Sequence, residues 1–182
     1  MLNKLQTKWT FWFDKLDSMT IDDDWEQFLI KTYTFEDAEN FWNFFNNIMP
    51  PQYLQNGASF YLFKSNIEPK WEDEKNAGGG RWVLVIHKQF HYLANLLWEK
   101  TLILIISEQF KNSQKSYING AVLNMKKSVI KIAIWTKNAD NKEIQIRIGK
   151  FWKQIIKTNI SKKNFKIDYF PHSTFICKNK GR

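Results

Sequence analysis

The sequence predicts an α+β fold in which helices cover one face of a mostly antiparallel sheet. Short segments with period-two alternation recur along the chain, and three longer stretches place apolar residues at helical spacing. No repeat period and no Pro- or Ser-rich linker divides the 182 residues. One domain over residues 1–182 is therefore expected, long enough for a single sizeable core.

Trp9 to Phe13 alternates as a strand, with Trp9, Phe11 and Phe13 on one face and Trp12 on the other. The acidic stretch Asp17 to Asp24 reads as a loop ending at Trp25, and Phe28 to Tyr33 as a second strand. Thr34 is a candidate N-cap for a helix from about Glu36 to Met49, stopped by Pro50-Pro51. Ala38, Phe41, Phe45 and Ile48 form its apolar stripe, with Trp42 at the edge. Ser59 to Phe63 and Trp82 to His87 are strands, and everything from Glu68 to Gly80 between them is expected to be loop. Leu93 to Phe110 reads as a second helix despite its β-branched run. Gly120 to Asn124 and Val129 to Thr136 are strands joined by a tight basic turn. Lys142 to Lys157 is a third helix, with Ile144, Ile148, Phe151, Trp152 and Ile155 on one face. Phe165 to Phe170 and Thr174 to Lys178 are expected as short closing strands.

Composition excludes several classes. Nine Trp and 15 Phe accompany a mean hydropathy of −0.49, and the longest apolar run, Leu102 to Ile106, is far too short to span a bilayer. The start, Met1 to Trp9, lacks a basic region followed by an apolar stretch, so no secretory leader is expected. The lone Cys177 excludes an internal disulfide and fits a reducing compartment. The net charge of +9 is segregated: residues 1–120 hold 12 Lys/Arg against 15 Asp/Glu, and residues 121–182 hold 15 against 3. Such asymmetry suits a polyanionic partner, although a Lys- and Asn-rich composition accounts for the total equally well.

Catalytic constellations are sparse. His87 and His91 have no neighbouring carboxylate as a third metal ligand, and Cys177 has no nominated His partner. Gly78-Gly79-Gly80 lacks the Lys-Ser/Thr of a phosphate loop and reads as a flexible turn. More informative is Pro69-Lys70-Trp71-Glu72-Asp73-Glu74, an indole followed by a carboxylate in a loop. A ring there can stack on a planar base, and Glu72 can accept the paired N1–H and N2–H donors of guanine. A bidentate match of that kind gives ~1–3 kcal/mol of discrimination. Trp25 can supply a second plate, each stack contributing about 1–3 kcal/mol and more for a cationic base. On pattern alone, packing is the commoner reason for either Trp. Alternation also puts Lys131, Ala133 and Trp135 on one face, near Lys126, so that lysines could hold phosphates beside an exposed indole. A solvated strand face explains those lysines equally well.

Taken together, these residues resemble the eukaryotic translation initiation factor 4E family of cap-binding proteins. The similarity runs from about Leu5 to Lys157. It rests on Trp9-Thr-Phe-Trp12, Trp25, Phe41-Trp42, Leu62-Phe-Lys64, Ile67-Glu-Pro-Lys-Trp71-Glu-Asp-Glu-Lys75, Gly79-Gly-Arg-Trp82, Gly120-Ala-Val-Leu-Asn124 and Lys131-Ile-Ala-Ile-Trp135-Thr136. The resemblance implies a curved sheet backed by three helices on its convex face. It also implies that Trp25 and Trp71 sandwich 7-methylguanine, Glu72 reads the guanine edge, and Trp135 contacts the methylated edge. Lys126, where the family has Arg, and Lys131 would bind the cap phosphates. Lys neutralises phosphate but lacks the planar fork of Arg. Ser128 stands where another Lys is common.

The implied partners are capped messenger RNA and a scaffold or binding protein presenting a Tyr-x4-Leu-Φ helix. Leu5, Trp42 and Glu99 would form the scaffold surface. Asn3-Lys4 replaces the usual His-Pro, Glu99 takes the place of an apolar residue, and Ser107 replaces a Gly. An added charge in a docking groove costs affinity or selects a partner with a matching base. The expectation is a cytoplasmic, monomeric, non-catalytic protein of one cap-binding domain that recruits mRNA for translation initiation, with no cofactor, no metal and no membrane. A cap-binding repressor of the same fold and a general single-stranded RNA binder are the competing readings. A decapping hydrolase would need metal-binding carboxylates on a helix, which the sequence does not offer.

Overall fold

The computed structural model describes residues 2–14, 28–107, 109–160 and 165–174. The acidic loop Asp17 to Asp24, Trp25 and Cys177 lie outside the described residues, as does all but Thr174 of the expected strand Thr174 to Lys178. Seven strands, β1 (Lys4–Asp14), β2 (Ile30–Asp37), β3 (Ser59–Lys64), β4 (Gly80–His87), β5 (Ile118–Met125), β6 (Val129–Thr136) and β7 (Ile167–Pro171), form one sheet. Its order is β2-β1-β3-β5-β6-β4-β7 and every pairing is antiparallel. The sheet is curved and open. The helices are α1 (Ala38–Phe45), α2 (Glu74–Ala77), α3 (Ala94–Ile106), α4 (Asn112–Lys115) and α5 (Lys142–Asn159).

Period-two alternation gives the sheet two different faces. On one, Trp9, Phe11, Phe60, Leu62, Leu123 and Ile132 pack with α3 residues Leu97 and Trp98 and α5 residues Ile148 and Trp152. Burying each such side chain contributes about 1.5–3 kcal/mol, so this face holds the helices to the sheet. A polar pair is tied into the same layer: Trp152 Nε1–H donates to Thr101 Oγ1 at 3.1 Å, both residues being buried. On the opposite face lies a smaller cluster of Tyr61, Phe63, Val83, Val122, Ala133 and Trp135. Trp12 joins that second cluster while Trp9 and Phe11 join the first, as the alternation of β1 requires.

Helix boundaries differ from the sequence reading. Thr34 does not cap α1: it stays in β2, paired opposite Thr10, with the two hydroxyls 2.9 Å apart. The cap is Asp37, whose Oδ1 accepts the Asn40 backbone N–H at 2.8 Å. A β-branched and an aromatic residue at 34 and 35 extend the strand further than a capping preference could shorten it. The expected loop from Glu68 to Gly80 contains α2, where the Asp73 side chain accepts the Lys75 N–H at 2.9 Å. Helix α3 starts at Ala94, after a 3-10 segment Lys88–Leu93 with a kink at Phe90, and stops at Ile106 rather than Phe110. Strand β6 spans the residues expected of it, and α5 runs two residues beyond its expected end.

Candidate nucleotide-binding site

The face of the sheet opposite α3 and α5 carries a cavity of about 630 Å³, within the range of sites that take one small ligand. Strand register explains its lining. One row across the sheet runs Phe63, Gly120, Trp135, Arg81, Phe170. The next row on the same face runs Trp12, Tyr61, Val122, Ala133, Val83, Asp168. A third runs Asp14, Ser59, Asn124, Lys131, Val85. Trp135 and Lys131 are four residues apart on β6, which sets them ~13 Å apart along the strand. The cavity thus has an aromatic end and a lysine end with an apolar middle.

At the aromatic end, Trp71 and Trp135 both line the cavity. Trp135 is not the exposed indole expected from sequence; it is 3% exposed, set into the floor against Phe63 and His172. Trp71 is half-buried, and the Arg81 guanidinium carbon stands 5.7 Å from its ring centroid, a cation–π distance. Burial pushes the Arg81 pKa down.

Trp71 sits on an irregular segment that is pinned from below. Asn76, fully buried, donates through Nδ2 to the carbonyls of Glu68 and Lys70, each at 2.8 Å. Asn119 Nδ2 donates to Asn76 Oδ1 at 2.9 Å and to the Lys75 carbonyl at 2.7 Å. Asp73 Oδ2 accepts the Glu68 N–H at 2.9 Å, closing the segment on itself. Of the glycines read as a flexible turn, Gly78 is open, but Gly79 and Gly80 are packed. A Cβ on Gly79 would collide with the Thr136 carbonyl oxygen, and the Gly79 carbonyl accepts the His172 N–H at 2.9 Å.

At the other end, Lys126 and Lys131 are both exposed and both line the cavity. Lining the cavity in the same cross-strand row as Lys131 is a carboxyl that sequence reasoning missed. Asp14 is 1% exposed; Oδ2 accepts the Tyr61 hydroxyl, and Oδ1 has no hydrogen-bond partner among the described residues. Burial raises the Asp14 pKa, against the lowering effect of Tyr61, Ser59 and the Lys126 charge. Burial and the adjacent Asp14 charge raise that of Tyr61.

The structure therefore brings together Trp71, Trp135, Lys126 and Lys131. Trp25 lies outside the described residues. Glu72, directly after Trp71, is exposed and is not among the residues lining the cavity. Tyr61, Arg81, Phe170 and Asp14 line the cavity without having been assigned a role from sequence, because cross-strand register brings them there. Leu5, Trp42 and Glu99 belong elsewhere. Leu5 packs against the main core, Trp42 on α1 is 38% exposed, and Glu99 on α3 lies 3.6 Å from Lys100. Among the described residues, no cluster of three or more His, Cys, Asp or Glu could hold a metal, and no helix is long and apolar enough to cross a membrane.

Comparison with known proteins adds an independent line. The family model described as eukaryotic initiation factor 4E matches residues 4–182. A eukaryotic translation initiation factor isoform 4E of Nicotiana tabacum is 42% identical over 156 residues, covering 85% of this chain and 75% of that protein. The structure of Ascaris suum eIF4E-3 with m7G cap superposes with a TM-score of 0.86 at 35% identity, over 94% of this chain and 92% of that one. A schistosome eIF4E complexed with m7GpppA and 4E-BP gives a TM-score of 0.87 at 27% identity, over 100% and 94%. With the family model spanning nearly the whole sequence, a relative 42% identical over 85% of this chain and the fold superposing closely, the chain belongs to the eukaryotic initiation factor 4E family.

Proposed function

We propose that this protein binds the 7-methylguanosine 5′ cap of mRNA and recruits the message for translation initiation through a scaffold partner. The observation that carries the reading is the polarity of the cavity: Trp71 and Trp135 at one end, Lys126 and Lys131 at the other. A cationic base suits electron-rich indoles, and a phosphate chain suits lysines. In this reading Trp25 and Trp71 stack on the base, Glu72 accepts N1–H and N2–H, and Trp135 touches the methylated edge. The relatives supply support of the same kind, since the Ascaris protein is described with m7G cap and the schistosome protein with m7GpppA and 4E-BP.

The chain would act as one cap-binding domain over residues 1–182, as a cytoplasmic monomer and without catalysis. Leu5, Trp42 and Glu99 would form the surface for a Tyr-x4-Leu-Φ helix. The half-buried Glu99 keeps a second role open, a cap-binding repressor whose groove disfavours the usual scaffold. Tryptophan fluorescence titrated with 7-methyl-GTP and with GTP tests the central claim. Strong quenching by the methylated ligand alone is expected; equal responses would mean general nucleotide or single-stranded RNA binding instead.

A further inference from the structure

The lysine end of the cavity contains a group that a simple phosphate site would not. Asp14 ends β1 on the cavity face, in the same cross-strand row as Ser59, Asn124 and Lys131. A carboxylate buried to 1% exposure, with one oxygen lacking a hydrogen-bond partner among the described residues, is held in its charged form only by its surroundings. The Tyr61 hydroxyl on β3 donates to Oδ2, and Ser59 and the Lys126 ammonium after β5 also favour the charged form. Lys131 on β6 lines the same end of the cavity. Other charged groups on this face, among the described residues, lie on β2, β4 and β7. Lys31 on β2 stands 5.8 Å from the Trp12 ring centroid, and Arg81 on β4 and Asp168 on β7 line the cavity.

We propose that Asp14 couples phosphate binding at Lys126 and Lys131 to the uptake of a proton. The inference rests on the cap-binding reading. A phosphate that engages Lys126 takes away positive charge that compensates Asp14, and adds negative charge at the same end of the cavity. In a low-dielectric site both changes disfavour the carboxylate. The bound complex relieves the repulsion when the carboxyl accepts a proton from solvent, becoming the neutral acid while Tyr61 remains its hydrogen-bond donor. Burial already pushes the Asp14 pKa upward in the free protein, and phosphate binding pushes it further in the same direction. Between the free-state and bound-state titrations, affinity for the phosphate chain falls as pH rises. The slope for one coupled proton is at most about tenfold per pH unit. Asp14 thereby sets how much each phosphate contributes, while the aromatic end reads the base.

The test is calorimetric titration of the full chain with m7GpppA, whose bridging phosphates have no secondary ionisation near neutrality. Binding heats in buffers of different ionisation enthalpy give the number of protons taken up. Wild type is expected to take up more protons than Asp14→Asn, the difference approaching one at its maximum. Ionisation of the base is common to both proteins and cancels. The difference should vanish with 7-methylguanosine, which carries no phosphate. Equal uptake by the two proteins, or the same difference with the nucleoside, would overturn the coupling while leaving cap binding intact. If Asp14→Asn does not fold, Tyr61→Phe serves: losing a donor to the carboxylate should move the uptake profile to higher pH, and an unmoved profile overturns the proposal. Failure of m7GpppA to bind better than unmethylated GpppA would overturn the cap reading and this inference with it.

Discussion

The Trp135 indole and the His172 imidazole lie against each other beneath the cavity, with ring centroids 4.3 Å apart and planes tilted by 56°. His172 is fully buried, and its Nδ1 is 2.8 Å from the Asn76 carbonyl oxygen. A carbonyl only accepts, so Nδ1 carries the hydrogen, and because burial disfavours the charged ring, Nε2 is bare. Asn76 in turn donates to the carbonyl of Lys70, the residue before Trp71. One buried chain of contacts therefore sets the two cavity tryptophans relative to each other.

That chain should fail in acid. Burial is the main cause that pushes His172 from its ordinary 6.5 down to about 4, the Arg81 charge adding to it and the Asn76 bond opposing it. The folded state thus disfavours the charged ring. Its contribution is complete above the unfolded value and is lost as pH falls through the folded one. Thermal unfolding followed between pH 7 and pH 4 should show wild type losing up to about 3 kcal/mol from this group. His172→Gln, less stable at pH 7, should show a flatter decline over the same range.

Glu72→Ala should abolish cap binding with almost no change in the melting temperature. The residue is exposed, and its neighbour Asp73, not Glu72, holds the segment together. Surface substitutions of this type stay within about 0.5 kcal/mol of wild type. Fluorescence titration with 7-methyl-GTP checks the binding and calorimetry checks the stability; normal binding would remove Glu72 from the guanine edge.

Lys131→Ala should weaken 7-methyl-GTP binding more than 7-methylguanosine binding. Its dependence on salt should also be shallower, with the slope reduced by about one counterion. The side chain is exposed on the face shared with Ala133 and Trp135, so folding should be unaffected. Equal losses for both ligands would exclude it from the phosphate end.

Trp42→Ala should lower affinity for a Tyr-x4-Leu-Φ peptide by at least about tenfold, in line with exposed aromatic anchors at interfaces. The ring sits 5.0 Å from Phe41 and 6.0 Å from Phe45 by centroids, remote from the residues lining the cavity. Cap binding should therefore be unchanged, and a matched loss of both activities would argue for global damage.

The strands were legible because alternation is a local property. Trp9 and Phe11 against Trp12 already distinguish the core face from the cavity face, and Lys131, Ala133 and Trp135 already share one face. Helix ends were less legible. Thr34 and Asp37 both offer capping oxygens, and pairing with β1 decided between them. Asp73 capping a four-residue helix within an expected loop is a similar case, since so short an element leaves no periodicity to read.

By itself the sequence determined the fold class, the alternating faces, the Trp71-Glu72 pair, the two lysines and the family resemblance, all of which depend on residue type and spacing along the chain. Only the tertiary structure decided that Trp135 is floor rather than rim, that Asn76 and His172 brace the cavity, and that Asp14 lies beside Tyr61 in the cavity lining. Those facts depend on cross-strand register, and register is set by the pairing of segments far apart in the chain. Asp14 and Tyr61 are adjacent on neighbouring strands yet separated by 47 positions.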